Sequence, residues 1–90
     1  MAQRTAVIGS SVGLHARPAA LFVQAAARQP VKVKIAKPGG DPVDARSILS
    51  VLGLDARNGE EVVLTAEGEG DEGALDELAA LLERNLDAEP

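Results

Sequence analysis

Cysteine, tryptophan and tyrosine are absent from this 90-residue chain, and histidine, phenylalanine and methionine each occur once. Without thiols there is no disulfide framework and no thiolate metal site, and a single imidazole would leave a zinc or iron site to be built almost wholly from carboxylates. Neither a metal nor another cofactor is expected. With Phe22 as its sole aromatic residue and a net charge of −5, the chain has no platform for stacking bases and repels phosphate backbones, so nucleic acid is not an expected partner. The longest mostly apolar stretch, Pro18 to Ala27, is interrupted by Gln24 and is about half the roughly 20 residues needed to span a bilayer. The opening MAQRTAV lacks the apolar centre of a secretory signal. A soluble cytoplasmic protein with no membrane insertion is expected.

What the chain does contain is apolar enough, at 46% of residues, for one compact domain over residues 1–90. At this size folding buries roughly 60–65% of the unfolded surface. Charge is unevenly placed. Residues 1–50 carry seven cations (Arg4, Arg17, Arg28, Lys32, Lys34, Lys37, Arg46) against Asp41 and Asp44, a net of +5, while residues 51–90 carry Arg57 and Arg84 against twelve carboxylates, a net of −10. A basic face beside an acidic one would steer an acidic or phosphorylated partner towards the first half.

The segment Arg4 to Ile8 reads as a short strand ending in the loop Gly9-Ser10-Ser11. A first helix is predicted from Ala16 to Ala27: Pro18 falls in the first turn, where no intrahelical amide bond is lost, and the alanines favour helix. Val31, Val33 and Ile35 alternate with Lys32 and Lys34, the pattern of a half-buried strand. Pro38 to Pro42 forms a turn cluster, so Val43 to Arg46 should return as a hairpin partner. Ser47 caps a short helix, Ile48 to Leu52, closed by Gly53. Asn58-Gly59 marks a turn before a last strand, Glu61 to Ala66. Leu75, Leu78, Ala79, Leu82 and Leu86 then share one helical stripe, with Asp71, Glu72, Asp76 and Glu77 near the positive end of the helix dipole. The order β-α-β-β-α-β-α, with too few helices to cover both faces of a sheet, gives an α+β open-faced sandwich: a four-stranded sheet with three helices on one side. Periodicity leaves the strand order open.

The chemically informative segment is Gly13-Leu14-His15-Ala16-Arg17-Pro18-Ala19. It places the only imidazole at a helix start, after a glycine loop and two residues before an arginine. First-turn amides, here those around Ala16 and Arg17, lack carbonyl partners and lie at the positive end of the macrodipole, which favours a bound dianion. Arg17 adds a fixed charge and a planar fork of donors. A neutral imidazole supplies a nitrogen lone pair for attack on phosphorus. An isolated histidine is more often a solvated residue or a helix cap, Gly13 could serve the loop alone, and Arg17 could be solvated. The combination of sole histidine, helix start and nearby arginine strengthens the case for a phosphate site, and the chemistry alone leaves these alternatives open.

GLHARPA resembles the signature of the HPr family, the histidine phosphocarriers of the bacterial phosphoenolpyruvate-dependent sugar phosphotransferase system. Chain length, element order and the RSILSVLGL segment are similar to that family along essentially the whole chain. The resemblance implies that His15 accepts a phosphoryl group at Nδ1 from enzyme I and passes it to an enzyme IIA domain in sugar uptake. This is a carrier's role rather than that of a self-standing enzyme. It also implies the antiparallel strand order 1-4-2-3, a monomer, and a docking surface for both partners formed by Ile48, Leu49 and Leu52, with Ala20 on the first helix. Arg17, Gln24, Arg28 and Arg46 would form its polar rim. The bland alternative is that two of the three α-helical side chains Ile48, Leu49 and Leu52 are core.

Ser47 keeps two roles open. It is a helix cap by position, and by resemblance it matches a serine that a dedicated kinase phosphorylates in some Gram-positive relatives. The family commonly has lysine before that serine and methionines or glycine after it, whereas this chain has Arg46 and Ile48-Leu49-Ser50. Two other classes compete with the carrier. A small enzyme using His15 as general base would need a concave pocket, which an open sheet of this size seldom offers. A regulatory HPr-like module would have no use for both His15 and Arg17.

Overall fold

The computed structural model describes residues 2–84. Among them the order is β1 (Ala2–Val7), α1 (Ala16–Ala27), β2 (Val33–Ala36), β3 (Val43–Asp44), α2 (Ile48–Gly53), β4 (Glu61–Ala66) and α3 (Asp71–Glu83). The strands form one antiparallel sheet in the order β1-β4-β2-β3. All three helices pack on one face, giving the expected open-faced sandwich with strand order 1-4-2-3. No helix among the described residues is long and apolar enough to cross a membrane.

Alternation builds the sheet. Val62, Leu64 and Ala66 of β4 are buried towards the helices while the residues between them are not, and β2 contributes Val33 and Ile35 in the same sense. Against them lie Phe22 of α1, Val51 of α2, and Leu75, Leu78 and Leu82 of α3. Full burial of a side chain such as Phe22 is worth about 1.5–3 kcal/mol. The register places Arg4 opposite Leu64, on the helix side of an edge strand, and there its guanidinium pairs with Asp76 of α3. An inward-turned charge of this kind discourages edge-to-edge pairing.

Several boundaries differ from expectation, each for a local reason. Pairing in β1 starts at Ala2, which lies opposite Ala66, so the strand begins before Arg4. Strand β2 begins at Val33 rather than Val31, and β3 is only Val43–Asp44 because the Asp44 carboxylate accepts the Arg46 amide at 2.9 Å and the Asp44 carbonyl accepts that of Ser47, turning the chain into α2. Gly53 does not close α2. The helix runs through it to the cap Leu54, and the left-handed residue that ends it is Asp55, at φ +49°, whose amide donates to the Leu52 carbonyl at 3.1 Å. Glycine is usual at such a position, and a residue with a Cβ pays roughly 1–2 kcal/mol there. In α3 only Asp71 and Glu72 occupy the first turn; Asp76 serves Arg4, and Glu77 accepts from the Gln29 side chain at 2.7 Å. The predicted stripe member Leu86 lies outside the described residues.

Because β1 and β4 are antiparallel neighbours, the end of one and the start of the other lie together, and so do the loops beyond them. Residues 8–15 and 54–60 are stitched by backbone bonds: Ile8 to Glu60 and Gly59 to Ile8, both 2.9 Å, and Leu14 to Ala56, 2.7 Å. The Asn58 side-chain amide donates to the Ser10 carbonyl at 3.1 Å. On the other side of the same loop the Gly9 amide donates to Leu82 of α3 at 2.9 Å.

Candidate functional site

The loop before α1 is held at Gly13, whose φ is +77° and where a Cβ would come within 2.7 Å of the Ala56 carbonyl oxygen and 2.9 Å of the Arg57 Cα. No other residue fits without moving the facing loop. Leu14 follows and is buried, anchoring the chain in the core immediately before the imidazole. His15 is the N-cap of α1 with an extended backbone (φ −132°, ψ 167°), and its side chain makes no capping bond to the helix. Ala16 then takes φ +49°, an uncommon conformation for a residue with a Cβ. Backbone strain of about 1–2 kcal/mol therefore sits directly beside the imidazole.

The His15 ring is half-exposed, and its Nε2 lies 3.1 Å from Asp55 Oδ1. Asp55 Oδ2 in turn accepts from Arg57 Nη2 at 3.2 Å. Hydrogen bonding to Arg57 and the charge of that guanidinium, with a smaller contribution from His15, hold the Asp55 carboxyl below its usual value of 3.8. It is thus a carboxylate at neutral pH. Among the described residues Nδ1 of His15 makes no hydrogen bond, so one ring nitrogen is engaged and the other is not.

Of the site residues expected from sequence, Ala16 and Arg17 are exposed in the first turn of α1, Ala20 is half-buried one turn on, and Gln24 and Arg28 are exposed further along. Helix α2 divides its apolar side chains: Val51 is buried, Leu52 packs against the core while remaining partly accessible, Ile48 is 39% exposed and Leu49 is 80% exposed. The alternative in which two of Ile48, Leu49 and Leu52 are core does not describe this helix, since only Leu52 packs inward. Arg46 is exposed and pairs with Asp44, with Nε 3.5 Å from Oδ1. The Ser47 hydroxyl accepts the Ser50 amide at 3.4 Å, the cap predicted.

Sequence reasoning missed Asp55 and Arg57, forty and more positions from His15, and Val12, an apolar side chain 53% exposed in the same loop as His15. The strand order carried the missing signal: once β1 and β4 are neighbours, the loop after α2 must meet the loop before α1. Nothing in the local sequence around Asp55 marks it.

Known proteins similar to this chain match it along nearly its whole length. Residues 2–84 match the family described as PTS HPr component phosphorylation site. The phosphocarrier protein HPr of Streptomyces coelicolor is 51% identical over 90 residues, covering 100% of this chain and 97% of the relative. The HPr-like protein Crh of Bacillus subtilis is 41% identical over 86 residues, covering 96% of this chain and all of the relative. The crystal structure of a phosphocarrier protein HPr from Bacillus anthracis superposes with a TM-score of 0.84 at 40% identity, covering 90% of this chain and 95% of that one.

Proposed function

The chain belongs to the HPr phosphocarrier family of the phosphotransferase system, and from that premise we propose that it takes a phosphoryl group from enzyme I onto His15 Nδ1 and delivers it to a histidine of an enzyme IIA domain. The observation that carries the proposal is the half-exposed imidazole at the start of α1, with Nε2 engaged by Asp55, Nδ1 open, and Arg17 in the first turn. Every group the transfer needs from this protein lies on one chain, so a single copy suffices.

In this reading the Nδ1 lone pair attacks phosphorus as the phosphorus–nitrogen bond to the donor histidine breaks, its electron pair leaving with the donor imidazole. The bond formed resembles the bond broken, so the carrier need only hold the phosphoryl oxygens in line. In this reading, first-turn amides around Ala16 and Arg17, together with the guanidinium, supply positive charge to those oxygens. A shallow, open site suits a carrier, because a second protein must bring its own histidine within reach of phosphorus.

Docking falls to the apolar surface beside the site. Leu49 and Ile48 project from α2, Leu52 packs partly inward beneath them, and Val12 is a further exposed apolar side chain in the loop before His15. Ala20, Gln24 and Arg28 line the adjoining face of α1. Ser47 serves chiefly as the cap of α2. A phosphate added there by a serine kinase would put a dianion at the margin of the docking surface and oppose an acidic partner.

Incubation with enzyme I and phosphoenolpyruvate, followed by intact-mass measurement, tests the function. The expected product carries one phosphoryl group, labile in acid and stable in base, and the His15→Ala protein folds but remains unmodified. Modification of His15→Ala to the same extent as the native chain would overturn the assignment. Absence of enzyme I-dependent modification in both proteins would favour a purely regulatory module, as the similarity to Crh allows.

A further inference from the structure

Asp55 departs from what local backbone chemistry favours. It occupies the left-handed position that ends α2, at φ +49°, where glycine or asparagine would be more comfortable, yet its side chain is engaged at both oxygens: Oδ1 with His15 Nε2 at 3.1 Å and Oδ2 with Arg57 at 3.2 Å. Both side chains are partly exposed, but the backbone that carries them is fixed. The Leu14 amide is bonded to the Ala56 carbonyl at 2.7 Å, and Gly13 presses on the backbone of Ala56 and Arg57, so residues adjoining His15 and Asp55 are fixed to one another through the main chain.

Resting on the reading of His15 as phosphoryl acceptor, we propose that Asp55 is a positioning residue that selects the tautomer of His15, holding hydrogen on Nε2 and the lone pair on Nδ1. A neutral imidazole has one donor and one acceptor nitrogen, and which is which follows from the hydrogen bond the ring makes. An ionised carboxylate only accepts, so a ring bonded to it through Nε2 must donate there. Arg57 fixes the second oxygen and offsets the carboxylate's charge, which would otherwise face the incoming phosphoryl dianion unopposed.

The same contact serves the transfer itself. As the Nδ1 lone pair becomes the new phosphorus–nitrogen bond, the bond to the donor breaks with its electrons on the donor imidazole, and positive charge develops on the His15 ring. The Nε2 hydrogen stays in place, bonded to Asp55, and no proton need leave. On delivery the ring departs from phosphorus with the electron pair of the bond and returns to the same neutral tautomer, ready for another cycle.

Asp55→Gly and Asp55→Asn test this, because both residues tolerate the left-handed backbone and neither carries the charge. Long-range proton–nitrogen correlation spectra of the neutral ring should show one tautomer, with hydrogen on Nε2, in the native protein and a mixture in the glycine variant. Transfer from phosphorylated enzyme I should slow about tenfold in kcat with KM little changed, as when an imidazole elsewhere loses its orienting carboxylate. The melting temperature of the glycine variant should be equal or higher, which separates positioning from a loss of fold. An unchanged tautomer ratio in Asp55→Gly overturns the role of Asp55 and leaves the carrier reading standing. Failure of the native protein to take up phosphate overturns the carrier reading whatever the ratio.

Discussion

Helices α1 and α3 lie side by side on the same sheet, yet their first turns are built on opposite lines. Helix α3 opens with Asp71 and Glu72, and the Asp71 carboxylate accepts the Glu72 amide at 2.7 Å. Negative groups at a helix start are worth about 0.3–1 kcal/mol each, so this end is made for stability. Neither helix has a side-chain cap bond, but α1 has no acid in its first turn and a strained Ala16. Judged as a helix start it is inferior. The contrast extends outwards: α3 carries Asp71, Glu72, Asp76, Glu77 and Glu83 and no cation, whereas α1 and α2 carry Arg17, no carboxylate and the exposed Ile48 and Leu49. In the proposed function, what α1 forgoes in its own complement is what a visiting phosphoryl group supplies, and of the three helices only α3 carries carboxylates.

Making α1 resemble α3 should therefore be the most damaging change. Arg17→Glu places a carboxylate in the first turn beside the phosphoryl oxygens, and transfer should fall by roughly 10²-fold in both directions, the scale of losing a charge-stabilising donor. Stopped-flow transfer from enzyme I and to enzyme IIA measures it; rates within twofold of native would show that the backbone amides suffice and that the contrast is incidental. Next in size, Leu49→Asp gives α2 the polar surface of α3. At 80% exposure its replacement should leave the melting temperature nearly unchanged while weakening enzyme I binding on the order of tenfold, since central apolar contacts dominate interfaces. A large drop in thermal stability would instead mean that the side chain packs inward.

The converse change is smaller and confined to folding. Neutralising α3's first turn with Asp71→Asn and Glu72→Gln should cost about 0.3–1 kcal/mol per charge in urea denaturation, with phosphoryl transfer untouched. Altered transfer would mean that the acidic helix takes part in docking after all. The smallest effect lies in acid. Asp44 is held below its usual 3.8 first by the Arg46 amide it accepts and then by nearby cations, and Asp55 by Arg57 and His15. A carboxyl whose folded value is depressed keeps its charge where the unfolded chain has already bound a proton. The resulting stability is present above about pH 4 and is lost as pH falls through the depressed folded values. Thermal melts across that range should show Asp44→Asn and Asp55→Asn flattening the acid limb slightly, and an unchanged limb would show that both pairs are fully screened.

The elements that repeat a period were legible in the sequence. Alternation in EVVLTA located β4 to the residue, and the leucine spacing located α3, because both patterns follow from burying one face. Of the proposed site, the local part, GLHARPA, was legible. Short elements were less so: β3 is two residues long and its end is set by the Asp44 carboxylate capturing a backbone amide, a competition that no period announces. The end of α2 was misplaced because Gly53 is the habitual terminator while the chain uses Asp55. That same residue was absent from the expected site, since its proximity to His15 is a property of the sheet's winding and not of any motif.

The close approach of Gly9 to α3 couples two parts of the molecule that have no chemistry in common. A methyl group on Gly9 would lie 2.1 Å from the Glu83 carbonyl oxygen, and the Gly9 amide is bonded to Leu82. The segment leading to His15 is thus suspended between two supports, the loop before β4 on one side and the last turn of α3 on the other. Fraying that begins at this turn would release one of the two supports and let the loop before α1 slacken while the sheet stays intact. Amide exchange at Gly9 is accordingly a gauge of that loop's tension, readable without partner proteins, and it should quicken together with that of the final turn of α3 rather than with that of the strands.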